Sequence, residues 1–325
     1  MKITDWSLIF VIILLPLCVV TGWNTAQLRQ ARVLEIQYTT ALRTAVQDAG
    51  VVLTRNYLQA DEYGYASDKQ SRVNKEEALS VLRSSLGYNF GIADDSAALD
   101  AFMLYIPAII VIDYDGYYMY ELADEMDGSN VIQSSHQWMP KKPFIYEDKQ
   151  GYSAAFTLDD QVAVIDHQTG EQIQGKRGEL PHVLLPDLLS DPVQFDQLRR
   201  SAIVHSIEQD LSRAIESHNT VVRQLGWTYL FTMPTISQED WSNTLDEPGM
   251  LVFLQGIPAG VSRFNNYALG GGRVVRAKEF LAGKDPVSGF PYASSRICNL
   301  PFAAEEVYVH RRNAAEAGYY EWNCR

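Results

Sequence analysis

This chain is short of cysteine, of positive charge and, past its first two dozen residues, of long apolar runs. Three cysteines in 325 residues cannot build a disulfide framework, and none stands in a CxxC pair that would suggest a redox or zinc motif. HExxH and GxSxG are also missing, so neither a metalloprotease helix nor a nucleophile elbow is marked. The 27 lysines and arginines are outnumbered by 40 aspartates and glutamates, for a formal charge of −13. That balance repels nucleic acid and anionic headgroups at long range, and nucleic acid is not an expected partner. There is no internal repeat of solenoid length and no low-complexity tract. What remains is the balance of a folded protein, 46% hydrophobic against 21% charged, with length enough for two ordinary domains. Its 18 tyrosines suit a surface meant for contact, since Tyr offers large area at small entropic cost.

The one long apolar run is WSLIFVIILLPLCVVTGW, uncharged over 18 residues from Trp6 to Trp23. It just reaches the roughly 17–25 residues that a membrane-spanning helix needs. Export signal, lipid-attachment site and permanent anchor are the three readings. A lipobox needs a small residue before its cysteine, and Leu17 precedes Cys18. Cleavage after Gly22 suits the small Val20 and Gly22, but the basic segment in front is only Lys2 and the amino terminus, offset by Asp5, and helical patterning resumes at once. An anchor fits best: Pro16 is tolerated in mid-span, and Trp6 and Trp23 fit the two interfacial belts. Lys2 on one side faces Arg29 and Arg32 on the other, a count that favours a cytoplasmic body. The five-residue tail, the acidic, Tyr-rich body and the distal cysteine pair point the other way. A single-pass protein of the cell membrane with an extracytoplasmic body is the expectation.

Beyond the span, Ala31, Leu34, Tyr38, Ala41, Leu42, Ala45, Ala49 and Val52 recur at threes and fours and draw one stripe along a helix. No proline interrupts Trp23 to Gln59, so span and stripe read as one rod. The stripe's small residues admit close approach of a partner, either the protein's own domain or other subunits. Next, Asn74 with Glu77 three residues on forms a capping box, Val73 and Ala78 can staple it, and Gly87 is the expected stop. From Ile106 the period changes to that of strands: IPAIIVID and GYYMYELAD join at Asp115-Gly116, and turns follow at Glu147 to Gly151, Asp159-Asp160 and His167 to Gly170. This predicts an antiparallel meander of about five strands with one buried and one wet face. PHVLLPDLLSDP, with three prolines, reads as a domain boundary. After it, Val204, Ile207, Leu211, Ala214, His218 and Val222 share a face of a long helix that Gly226 can end, and WTYLFTMP and GMLVFLQG read as strands. The expected fold is α+β: a short tail (1–5), a transmembrane helix (6–23), a helical stalk (24–62), an α+β lobe with the meander (63–185), and a carboxy-terminal lobe with a long helix, strands and a Gly- and aromatic-rich tail (186–325).

Candidate chemistry is sparse. Asp113, Asp115, Asp159, Asp160 and Asp166 all sit at strand ends, where Asp is favoured because its carboxylate bonds neighbouring backbone. DYDG is too short for a calcium loop. LGGGRVVRA has neither the spacing nor the strand-and-helix setting of a phosphate cradle, and its glycines read as a flexible or closely packed turn. Arg273 and Arg276 add no paired clamp. Cys298 and Cys324 are the only pair outside the span, open to a disulfide worth about 3 kcal/mol, to two free thiols, or with His310 to three ligands of a zinc site whose spacing matches no known signature. His205 and His218 are too far apart along one helix to bind a metal together. No catalytic, cofactor-binding or metal-ligating set is assigned.

A short tail, an apolar segment after Asp5 of MKITD, an uninterrupted helix and a meander behind it resemble the plan of type IV pilins and pseudopilins over residues 1–185. The Gly or Ala processing site of that family is missing before the run, and the chain is long for a pilin. The resemblance implies a scaffold or subunit of a pilus, secretion or DNA-transfer apparatus, held in the bilayer and packed against other protein subunits. Helix, DYDG hairpin and further antiparallel strands also resemble the extracellular PAS-like sensor domains of the Cache type, which implies a ligand-binding sensory partner protein. With no second span after Trp23, a complete receptor is not expected. A membrane-anchored hydrolase is the third reading.

Overall fold

The computed structural model of the chain describes residues 3–53, 73–126, 132–148, 151–181, 189, 191–271, 280–286, 288–295, 300–308 and 311–322. It is α+β, with one long amino-terminal helix, a large antiparallel sheet and a few further helices. Helix α1 (Ile3–Leu53) runs through Pro16 without a break, and the carboxy-terminal end expected near 62 lies outside the described residues. Helix α2 (Lys75–Phe90) begins as its sequence requires: the Asn74 side chain accepts from Glu77 N at 3.1 Å and donates to Glu77 Oε2 at 2.8 Å, with Val73 and Ala78 both buried. It does not stop at Gly87. That glycine stays helical, and it is small where the returning chain passes close by, since a Cβ there would stand 3.2 Å from Ala93 Cα. The left-handed residue that ends the helix is Gly91, at φ 69°. Helix α3 (Ser96–Met103) follows, capped by the Asp95 carboxylate on Ala98 N at 2.9 Å.

The sheet is built from β1 (Ala108–Asp113), β2 (Gly116–Met126), β3 (Ile132–Trp138), β4 (Lys142–Glu147), β5 (Tyr152–Phe156), β6 (Gln161–Asp166) and β7 (Gln172–Lys176). After helix α4 (Pro192–Gln224) and the short α5 (Gln238–Thr244) come β8 (Gly249–Ala259) and β9 (Ser262–Gly271). The order is β7-β6-β5-β4-β2-β1-β8-β9, with β3 also on β2. β2 is shared lengthwise: Gly116 and Tyr117 pair with β4, and Tyr120 to Met126 pair with β3. In the β1–β2 hairpin Asp113 pairs with Gly116, so the turn residues are Tyr114 and Asp115, one place earlier than expected. Gly116 serves a different need, because any side chain there would collide with the Lys142 carbonyl.

Three further expectations are corrected. The division at 185/186 does not hold: β8 pairs with β1, Ile109 opposite Val252, so segments from both expected lobes share one sheet. The chain divides instead into Met1–Arg273 and Val274–Arg325. Nor is one face of the sheet wet at its centre. Ile110, Ile112, Leu251 and Phe253 join the core under α4 with Ile207 and Leu211, while Ile109, Val111, Val252 and Leu254 join the core with Leu42, Ala45 and Leu82 of α1 and α2. Finally, WTYLFTMP is not a strand. Amide side chains stand in for a neighbouring strand: Asn219 exchanges two bonds with the Phe231 backbone at 2.8 and 2.9 Å, and Gln255 two with Thr232 at 2.7 and 3.0 Å. Helix α4 has the expected apolar face, with Ile207, Leu211, Ala214, His218 and Val222 buried, and Gly226 turns the chain at φ 86°.

The unit Val274–Arg325 holds β10 (Phe280–Lys284), β11 (Pro291–Ser295), β12 (Glu306–Tyr308), α6 (Arg311–Glu316) and β13 (Tyr320–Glu321), in the order β12-β10-β11-β13. Among its described residues Ala282, Ala293 and Ala314 form the buried cluster, with Tyr308 and Tyr319 packed against it. The rings of Tyr292, Phe302 and Trp322 cluster with centroids 5.1 to 6.4 Å apart. Cys298, Cys324, His310, Arg273 and Arg276 lie outside the described residues.

Candidate functional site

Helix α1 uses one backbone in two ways. From Phe10 to Trp23 the side chains of Phe10, Val11, Ile12, Leu15, Leu17, Val19, Val20 and Trp23 are more than half exposed, and the free Cys18 is exposed as well. The helix that carries these residues is, over Phe10–Leu53, long and apolar enough to cross a membrane, with mean hydropathy 1.7 in an 18-residue window and none of that window buried. Its polar groups are turned inward: Thr21 Oγ1 donates to Leu17 O at 2.8 Å, and Thr25 Oγ1 donates to the carbonyls of Thr21 and Gly22. Hydroxyls satisfied by the preceding turn remain compatible with a medium that offers no water.

The stripe residues sit on the other half. Ala31, Ala41, Ala45, Ala49 and Val52 are buried, and Leu34 and Tyr38 pack half-buried beside them. Leu42, Val46 and Leu53 complete the contact. Of the two partners open to the stripe, the protein's own domain is the one that occupies it: α1 lies against β8, β9 and α2. Close approach depends on glycine. A Cβ on Gly270 would stand 2.9 Å from the Val46 carbonyl oxygen, and one on Gly50 would stand 3.4 Å from that of Gly271. Gly270, the first glycine of LGGG, is therefore a packing residue under α1, and the Gly271 backbone faces Gly50. Tyr38 adds an edge contact to Phe264 at 5.6 Å, and Asp48 Oδ2 accepts from Ser85 Oγ at 2.9 Å.

The carboxylates at strand ends are distributed over separate turns. Asp159 Oδ1 accepts from Tyr114 Oη at 2.7 Å, Thr157 Oγ1 at 2.8 Å and Gln161 N at 3.1 Å. Asp166 accepts from Gln168 N at 2.7 Å, and Asp160 offers its backbone carbonyl to Arg177 N at 2.9 Å. Asp113 and Asp115 converge on Lys141, at 2.8 Å from Asp113. Burial pushes the Asp113 carboxyl up. Burial works to lower the Lys141 ammonium too, yet the two carboxylates carry it upward. The adjacent Lys142 reaches Asp210 on α4 at 2.5 Å, where Tyr117 Oη also donates at 2.6 Å and Arg213 pairs at 2.5 Å. Against burial, these donors hold Asp210 below the ordinary carboxylate range. The Lys141-Lys142 pair was not marked in the sequence, although the offset of successive side chains near a strand start lets two lysines serve opposite sides of the sheet. These are clamps between sheet, hairpin and α4.

Two imidazoles meet near the start of β1. His218 is buried, with Nε2 3.0 Å from Leu104 O, and its ring centroid is 6.5 Å from that of His136, which stacks on Tyr120. His136 Nε2 and His218 Nδ1 have no hydrogen-bond partner among the described residues. Burial lowers both to about 4, with Arg83 adding to the effect at His136 and with His136 disfavouring charge on His218. His205, by contrast, is exposed on α4. A Ser–His contact also occurs, Ser153 Oγ to His167 Nε2 at 2.5 Å. It lies where two hairpin turns abut, beside the bond from His167 N to Gly151 O at 3.0 Å. Among the described residues no acid is bonded to the other nitrogen of His167, and no three His, Cys, Asp or Glu side chains are grouped to hold a metal. No protein-family model, no curated protein and no solved structure matches the chain.

Proposed function

We propose that the chain is a single-pass, membrane-anchored, non-enzymatic component of a bacterial cell-envelope assembly of the pilus, secretion or DNA-transfer type, acting as scaffold or subunit. The observation that carries this reading is the division of α1 into an uncovered apolar half and a half locked into a folded body. The exposed half crosses the bilayer once, and the body stands outside the cytoplasm. Because the helix is continuous from Ile3 to Leu53, any lateral displacement or tilt of the span is carried directly into the body. A helix half free and half seated on an antiparallel sheet is also the plan that supports the likeness to pilins and pseudopilins. The Tyr-rich surface supplies the contacts to other subunits.

The test is fractionation of the full chain expressed in a bacterial host. It should stay in the membrane pellet after alkaline extraction at its uncleaved mass, whereas Leu15→Arg, which places a charge in mid-span, should leave that fraction. A soluble protein lacking the first 22 residues would instead identify a removed export signal. Cys298 and Cys324 should react with a membrane-impermeant thiol reagent on intact cells under reducing conditions. Labelling only after lysis would reverse the orientation. Capture from solubilised membranes should return envelope-assembly proteins, and a sensory kinase in their place would favour the ligand-binding reading.

A further inference from the structure

Past the span, α1 is seated on one side. At about 100° per residue, Val33, Ile36, Thr40, Thr44, Gln47 and Val51 fall opposite the seated stripe, each two places from one of its residues. Their spacing of three, four, four, three and four is an 11-residue repeat, which keeps to one side of a nearly straight helix. The ridge they form runs for about 27 Å. All six are exposed, Val33 at 53% and Ile36 and Val51 at 67%, and none is charged. Helix α4 presents a different outer face. Along its 33 residues Val193 is the large aliphatic side chain left exposed, in the company of His205, Arg213 and Glu216. An uncharged, partly aliphatic ridge on a chain of net charge −13 has the character of a contact surface.

A membrane restricts what can cover that ridge. If α1 spans the bilayer, every copy of the chain stands in the same direction, and the α1 helices of two neighbours run parallel. A two-fold axis along the membrane normal then sets the ridge against itself, each residue facing its own counterpart, with the seated sides turned outward. Because the helix is continuous with the span, the two ridges meet already aligned. Their flanks agree in sign. In a parallel pair each flank meets the opposite flank of the other helix. Arg32 and Arg43 lie on one flank of the ridge, and Gln37 and Asp48 on the other. Arg43 of each copy thus meets Asp48 of the other, and no like charges are brought together there. Both already have a neighbour in their own chain, Arg43 the Asp240 carboxyl and Asp48 the Ser85 hydroxyl. Their sign therefore guides register more than it adds strength. Arg29, one turn before Val33, ends the uncharged ridge on the membrane side.

We propose that the outer face of α1, from Val33 to Val51, is the contact between two copies of this chain anchored side by side in one membrane. The proposal rests on the reading of α1 as a span, and it makes the chain itself the first partner of the scaffold. Pairing covers Ile36 and the two valines and leaves both bodies facing outward for further subunits.

The experiment is photo-cross-linking of the full chain in its membrane, with benzoylphenylalanine in place of Thr40, of Thr44 or, off the ridge, of Ser201, which is exposed on α4. Two differently tagged copies are expressed together. Positions 40 and 44 should give a doubled mass that carries both tags, and position 201 should not. Ile36→Glu sets an unpaired charge in the contact from each copy and should lower the yield by roughly ten-fold. Ile36 is exposed in the single chain, so the protease resistance of the body should not change. Yields at 40 and 44 no higher than at 201, in a chain that the membrane retains, overturn the pairing and leave the span standing. Cross-links to a protein of another mass, or pairing that survives Ile36→Glu, do the same. A chain that leaves the membrane on alkaline extraction overturns the span and the pairing together.

Discussion

The two halves of α1 share a backbone and differ in what covers their apolar side chains. Between Phe10 and Trp23 the large residues Ile, Val, Leu and Phe point outward all round, whereas between Ala41 and Leu53 the buried face alternates Ala with Leu and Val. Bulk all round suits a medium with no fixed shape. Small residues on one face suit a neighbour whose backbone comes within contact distance, as that of β9 does. Composition along a single helix thus records which neighbour each half has.

The largest effect that would sharpen this contrast is a truncation in each half. Leu42→Ala removes a fully buried side chain and should cost about 2–5 kcal/mol, read as a lower urea midpoint of the full chain in micelles. Leu15→Ala should shift the same midpoint by less than about 0.5 kcal/mol. Equal losses would mean that the exposed half is also seated on the body.

Acidification should act on the body and spare the span. With His136 and His218 held at about 4 by burial, against about 6.5 when unfolded, protons bind the unfolded chain first. The body is then most stable above about pH 6.5 and loses stability as pH falls from there through about 4. The slope is at most about 1.4 kcal/mol per pH unit for each imidazole, and this contribution is flat below. Urea midpoints across that range should follow this slope, and His218→Phe should flatten it. Retention in the membrane pellet should not change.

A smaller effect separates the glycines. Gly270→Ala forces a methyl against the Val46 backbone and should destabilise by about 1–3 kcal/mol. Gly22→Ala meets nothing within 4 Å and should be neutral or slightly stabilising through helix propensity. A silent Gly270→Ala would show that α1 is not held tightly at its seat.

Much of the architecture was legible where local chemistry acts alone. The Asn74–Glu77 cap, the apolar face of α4 and the run from Phe10 to Trp23 each depend on residues within a few turns. The stripe at Ala41, Ala45 and Ala49 was legible as a contact face, but its occupant was not, since helix periodicity gives a direction and not a neighbour. The continuous apolar runs AIIVID and MLVFL were the available signal that β1 and β8 are covered on both sides. Reading them as half-buried strands hid the fact that they pair.

The sequence by itself determined the helices, the hairpins and the apolar segment, since caps, turns and hydrophobic period are settled by neighbours along the chain. Only the tertiary structure decided that β8 inserts beside β1, that α1 rather than another subunit's helix covers β9, and that Lys141 and Lys142 serve different carboxylates. Those choices depend on burying both faces of one sheet and on close approach at Gly270, between residues more than a hundred positions apart.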